Sequence, residues 1–238
     1  MNYNELNFDA MTRERELSMS AAFPVLMRKV YVWMTLALVL TGVTAFGVAT
    51  SPGIMTALTN RILFWGLVIA EFALVIGISA AINKLSLTTA TLMFVLYSVI
   101  NGAVLSSIFL IYTMSSIASV FFITAGTFAV MAFIGYVTKT DLSSMGKILF
   151  MALIGIIIAT IVNIFLKSSG LEMIVSYLGV LIFVGLTAYD SQKIKNMLLM
   201  APDASEGAQK LALLGALTLY LDFINLFIYL LRIFGRRE

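Results

Sequence analysis

The chain has 238 residues, of which 61% are apolar and 11% charged, with a mean hydropathy of +1.03 and a formal net charge of +3. A soluble domain carries roughly 25% charged residues, so a 26.0 kDa globule could not cover this much apolar surface, and the small, scattered positive charge argues against a nucleic-acid partner. The chain has no cysteine and no histidine, which excludes disulfides, thiolate or imidazole zinc sites, a cysteine nucleophile and a Ser-His-Asp triad.

In chain order, residues 1–22 are polar, with Arg13, Glu14, Arg15 and Glu16, and read as a short soluble tail. Residues 23–238 then read as one membrane domain. Arg28 and Lys29 precede an apolar run over residues 30–50. That run is longer than the apolar core of about 7–15 residues in a secretory signal and lacks a cleavage site, so it is expected to be a retained first span. Six further runs approach the about 20 apolar residues that a membrane helix needs: 62–82, 86–111, 117–137, 148–166, 173–190 and 211–231. Short polar connections separate them, including Ser51-Pro52-Gly53, Lys139-Thr140-Asp141 and Lys167-Ser168-Ser169-Gly170. The fold expected is an all-α membrane protein of seven transmembrane helices.

Cytoplasmic loops carry the excess of Lys and Arg. With seven spans, ten of the 15 Lys and Arg residues fall on the N-terminal side of the membrane and five on the other, which favours a cytoplasmic N-terminus. Arg232, Arg236 and Arg237 would lie outside if the last helix spans fully, and inside if it is re-entrant.

Acidic groups inside spans are costly and mark functional sites. Three occur: Glu71 near the middle of span two, Asp190 at the end of span six, and Asp222 eleven residues into span seven. In span seven, Gly215, Thr218, Asp222, Asn225 and Tyr229 recur at alternating three- and four-residue spacing, which puts them on one helix face. A polar stripe on an apolar helix must face protein or water, so span seven is expected inside the bundle. Spans six and seven are antiparallel neighbours, with Asp190 and Asp222 offset by about half a helix length, and by less if span six extends past Asp190 or span seven begins within residues 206–210. Two carboxylates brought together in low dielectric cannot both ionise freely, which makes a pH-sensitive pair. Such a pair is also an oxygen-rich site of the kind hard cations prefer. Asn101 and Asn163 are expected to bond between helices.

Two segments resemble the paired motifs of the Bax inhibitor-1 family, also called the transmembrane Bax inhibitor motif family. Gly185-Leu186-Thr187-Ala188-Tyr189-Asp190-Ser191-Gln192 is similar to its sixth-helix motif, and Leu219-Tyr220-Leu221-Asp222-Phe223-Ile224-Asn225-Leu226-Phe227 to its seventh. The resemblance implies a seventh helix central among the other six and a pH-dependent calcium leak. It assigns the pH-sensing pair to Asp190 and Asp222, with Glu71 as the second-helix glutamate of the cation pathway. Calcium would be the permeant ion, held transiently by these three carboxylates, with no cofactor. Asn225, Thr218, Tyr189 and Asn101 would be supporting polar groups. A basic residue near the cytoplasmic end of the second helix latches the first aspartate in bacterial relatives, and Lys84 is the nearest candidate. Residues 191–210 form a long loop between the motifs on this reading. The expected setting is a bacterial inner membrane, with lipid, calcium and protons as partners and a monomer possible.

Two rivals share the acidic residues. Intramembrane aspartyl proteases also carry a Tyr-Asp pair in a sixth helix, here Tyr189-Asp190, but their seventh helix has Gly-x-Gly-Asp where this chain has Leu219-Tyr220-Leu221-Asp222. A proton-coupled transporter could use Glu71, Asp190 and Asp222 as a relay, although the internal repeats and broken helices of such carriers are not evident. A retinal pigment is disfavoured because span seven contains no lysine for a Schiff base.

Overall fold

The computed structural model describes the backbone of residues 3–236 and the side chains of residues 21–236. Among the described residues the regular structure is helical throughout. Helix α1 (Tyr3–Ala49) is long, and its membrane-length part is Ala21–Ala49. The polar segment expected as a tail is, from Tyr3, the same helix as the first span. A short helix α2 (Pro52–Leu58) follows where a turn was expected, with its proline in the first helical turn, a position where the missing N–H costs nothing.

Six more membrane-length helices complete the bundle: α3 (Arg61–Ala81), α4 (Leu87–Leu105), α5 (Met114–Val137), α6 (Ser143–Leu166), α7 (Ser169–Leu199) and α8 (Glu206–Phe234). A 3-10 turn, Ser106–Leu110, extends α4. Side chains that accept from otherwise orphaned N–H groups set several starts: Asn60 for α3, Ser86 for α4, Thr113 for α5 and Ser168 for α7. Lys167 ends α6 in the left-handed region at φ 50°. There Asn163 accepts from the Ser168 amide at 3.0 Å, so it closes its own helix instead of bonding to another.

Helix α8 is the centre. Of its most apolar 18-residue window 67% is buried, against 6% for α3 and for α6. It packs against α7, α1, α5 and α4, while α3 rests on α4 and α6 on α7. Small residues bring the helices close, as is usual in membranes. Gly135 of α5 lies directly on the Ala188 backbone of α7, and Gly102 of α4 on the Thr41 backbone of α1.

The two ends of α8 are tied down differently. At its start, Lys210 donates to the Leu85 carbonyl at 3.0 Å, and Glu206 accepts from the Leu87 amide at 2.9 Å. Lys29 of α1 reaches Gln209 at 2.6 Å. At its finish, the Arg236 amide donates to Ser116 Oγ at 2.9 Å and the Thr113 amide to the Arg236 carbonyl at 3.2 Å. The last helix therefore crosses the full bundle and is not re-entrant.

Candidate functional site

Helix α7 does not stop at Asp190. It continues to Leu199, and α8 begins at Glu206, so the connection is residues 200–205. The long loop expected over residues 191–210 is mostly helix. Residues 191–199 contain Ser191, Gln192, Lys193, Lys195 and Asn196, which end the apolar run but not the helix. Each polar side chain facing inward has a partner. Ser191 donates to the Ala132 carbonyl of α5 at 2.8 Å. Gln192 accepts from the Leu142 amide at 2.9 Å and donates to the Thr140 carbonyl at 2.8 Å, pinning the α5–α6 connection. Lys195 donates to the Tyr136 carbonyl at 2.7 Å, a cation at the negative end of α5.

This continuation sets the depth of the acidic pair. Gly179 lies against the Tyr229 ring and Gly215 against Ile194, which fixes the antiparallel register of α7 and α8. Asp190 then stands opposite the Thr218–Leu219 region, about one helical turn, roughly 5 Å, from the level of Asp222. The half-helix offset expected from sequence is too large, because it took Asp190 as the end of the span.

Asp190 and Asp222 are both buried. They line one cavity of about 650 Å³ among α6, α7 and α8, edged by Phe72 of α3, and Asp222 lies within electrostatic reach of Asp190. Asp222 Oδ2 is buried without a hydrogen-bond partner among the described residues. Tyr189, Thr218, Asn225 and Tyr229 line the same cavity, so four members of the predicted α8 stripe share one space and Gly215 makes the helix contact. Thr218 donates to the Leu214 carbonyl at 3.1 Å, and Asn225 Nδ2 to the Leu221 carbonyl at 2.8 Å. The Thr218 hydroxyl proton and one of the two Asn225 amide protons are spent on their own helix, which leaves Thr218 Oγ1 and Asn225 Oδ1 as acceptors in the cavity.

The cations around the pair differ from expectation. Lys193 lines the cavity with Lys147, acts electrostatically on both aspartates and holds its ammonium 5.8 Å from the Tyr189 ring centroid. Lys84 lies in the α3–α4 turn, exposed, and is not among the cavity residues. The reason is packing: α3 rests on α4 and not on α7. Lys193 follows Asp190 by three residues, the spacing that shares a helix face, and that spacing was visible in the sequence.

Glu71 and Asn101 form a separate cluster. Neither lines the cavity of the pair. Glu71 lies beside Asn101, with Tyr97 and Tyr220 nearby, and its Oε1 is buried without a hydrogen-bond partner among the described residues. Tyr220 donates to Asn101 Oδ1 at 3.1 Å and shares a 2.7 Å hydrogen bond with Thr41 Oγ1, which donates to the Ser98 carbonyl at 3.0 Å. Asn101 does link α4 to α8, as expected. Tyr220 and Asp222 are two residues apart, about 200° around α8, so the central helix stands between two polar clusters. The three carboxylates expected to share one calcium do not meet, and among the described residues no three acidic side chains form a metal-binding group.

The likeness to known proteins covers nearly the whole chain. The family described as "Inhibitor of apoptosis-promoting Bax1" matches residues 24–238. The Inner membrane protein YbhL of Escherichia coli (strain K12) is 54% identical over 92% of this chain and 94% of its own length. Uncharacterized protein RP147 of Rickettsia prowazekii is 43% identical over 89% of each chain, and a Deinococcus radiodurans protein is 37% identical over 96% of each. With six membrane-length helices around a central seventh, α8, that carries one of the paired motifs, the chain is an integral membrane protein and belongs to the Bax inhibitor-1 family.

Proposed function

We propose that this protein is a pH-sensitive calcium-leak channel gated by Asp190 and Asp222. The observation that carries the reading is the shared cavity: two buried carboxylates on adjacent helices, with oxygen acceptors and the ammonium groups of Lys193 and Lys147 along its walls. Calcium prefers carboxylate, amide and hydroxyl oxygens, and Thr218 Oγ1 and Asn225 Oδ1 are left free to accept by their own backbone bonds. The pair takes up and releases protons as a unit, and there is no histidine to respond between about pH 5 and 8 in its place. States that hold different numbers of protons change population with pH. A protease dyad fits less well, since Leu219 and Leu221 stand where glycines would admit a substrate backbone, and Leu219 is fully buried. The setting consistent with the Escherichia coli relative is an inner membrane, with the N-terminus cytoplasmic on the charge asymmetry.

The test is calcium flux in proteoliposomes across that pH range, with internal pH followed in the same vesicles. Asp190→Asn and Asp222→Asn each flatten the pH dependence, and the double variant is little worse than either single. Single variants that both retain the wild-type profile would refute the pair as sensor. Proton counterflow in fixed ratio to calcium would replace the channel by a proton-coupled exchanger.

A further inference from the structure

On the opposite flank of the bundle from the acidic cavity, α1 and α5 both rest on α8 but part from one another, leaving a cleft of about 710 Å³ floored by Phe223. It runs from Phe23 to Leu38 along α1 and from Tyr136 to Phe121 along α5. The Phe23 and Tyr136 rings stack at 6.4 Å and fix the antiparallel sense. Fifteen residues of helix make the cleft roughly 22 Å long, somewhat more than one leaflet of a hydrocarbon core about 30 Å thick. Its walls are apolar over most of that length, through Met34, Leu38, Ala125, Ala129 and Phe133.

The polar exceptions gather toward one end. Arg28 lines the cleft about one and a half turns from Phe23 and makes no ion pair among the described residues. Lys29 and Lys195 lie at the same end of the bundle. Their ammonium groups bond to neutral oxygens, those of Gln209 and the Tyr136 carbonyl. Among the described residues, three cations therefore stand at this end with no carboxylate against them.

From this geometry we infer that the α1–α5 cleft is a binding site for one anionic phospholipid, with an acyl chain along the cleft and the phosphate at Arg28. The cleft opens sideways, toward the exposed side chains of Val130 and Phe133 on a membrane-length helix, and an apolar space of this kind does not hold water. The occupant must be amphiphilic, because the walls are apolar and the end is cationic. A basic pocket between membrane helices favours a headgroup of net negative charge. A guanidinium with no carboxylate partner among the described residues is suited to bidentate contact with a phosphate. Arg28 lies along the cleft wall and can extend its stem toward the interface, so the headgroup stays at the membrane surface.

The experiment uses the full chain, purified, delipidated and titrated with phosphatidylglycerol or phosphatidylcholine of the same acyl composition, with bound lipid counted by native mass spectrometry. Wild type retains one phosphatidylglycerol in preference to phosphatidylcholine. Arg28→Gln lowers that preference about tenfold, the worth of one charge-assisted contact. Ala129→Trp fills the cleft and removes retention of both lipids, while Phe122→Trp, on the exposed outer face of α5, leaves binding unchanged. Circular dichroism confirms the helical content of each variant. Equal retention of the two lipids by wild type, binding of many lipids without a step at one, or a preference that survives both Arg28→Gln and Ala129→Trp overturns the inference.

Discussion

The seat of α7 on α5 can be tested with two glycines of the same helix. A Cβ at Gly135 would stand 2.8 Å from Ala188 Cα and 2.7 Å from its carbonyl carbon, with the carbonyl oxygen closer still, whereas ordinary contact begins at 3.4 Å. These are backbone atoms and cannot rotate away, so Gly135→Ala forces the helices apart by more than half an ångström at the nearest carbons and further at the oxygen. The Ser191 bond to the Ala132 carbonyl, 2.8 Å long, and the Lys195 bond to the Tyr136 carbonyl, 2.7 Å long, cross the same interface and stretch with it. Overpacking costs about 1–3 kcal/mol, and a weakened interhelical hydrogen bond roughly 0.6 kcal/mol more. Gly126 is the control, because nothing lies within 4 Å of a Cβ there. Gly126→Ala gains helix propensity worth about 0.8–1 kcal/mol. Thermal unfolding in one detergent, followed by recovery of monodisperse protein, should move down for Gly135→Ala and stay or rise for Gly126→Ala. Equal shifts for the two variants would refute the close α5–α7 contact.

Other outcomes follow from the cavity and the ends of the bundle. On the proposed channel reading, Lys193→Gln removes an ammonium that would compete with a permeant cation, and calcium leak in proteoliposomes rises a few-fold, the scale of a partly exposed charge pair at about 0.2–1 kcal/mol; Lys193→Arg keeps the wild-type rate, and Lys84→Ala leaves the leak unchanged. Tyr220→Phe removes the hydroxyl that Asn101 and Thr41 share and lowers stability by about 1–3 kcal/mol, read as a loss of thermal stability in detergent. Reporter fusions at Arg13 and after Glu238 lie on opposite sides of the membrane, since α8 crosses the bundle fully.

Much of this architecture was legible in the sequence. The seven spans follow from apolar run length, and the central place of α8 follows from the three- and four-residue spacing of Thr218, Asp222, Asn225 and Tyr229. What run length cannot show is a helix that outlasts its apolar stretch. Residues 191–199 look like loop because Ser191, Gln192, Lys193 and Lys195 interrupt the hydropathy, yet those side chains bond to α5, to its connection and into the cavity while the backbone stays helical. The misplaced depth of Asp190 and the choice of Lys84 over Lys193 both come from that one boundary. The family resemblance groups Glu71 with the aspartates in one cation pathway. Which neighbour it faces depends on the rotation of α3 against α4, and a nearly uniform apolar helix gives no periodic pattern to read that from. Asn163 shows the same limit at a helix end, where an amide serves its own turn as readily as a neighbour.

The hydrogen bonds around Tyr220 can be counted in protons. Thr41 and Tyr220 bring two hydroxyl protons to three contacts: Ser98 carbonyl, Thr41 to Tyr220, and Tyr220 to Asn101. With Asn101 Oδ1 toward Tyr220, one contact is short of a proton, and Asn101 Nδ2 is left to donate toward Glu71. With the amide turned over, Nδ2 supplies the third proton and every contact is filled, running from α4 through α8 to α1. Oδ1 then looks toward Glu71, where only a protonated carboxyl has anything to give it. The amide of Asn101 is thus a two-position pointer. One position matches an ionised Glu71 and a chain with a gap; the other matches a neutral Glu71 and a complete chain. The charge of Glu71 on an outer helix thus bears on the direction of the bonds that join α4, α8 and α1 at Tyr220.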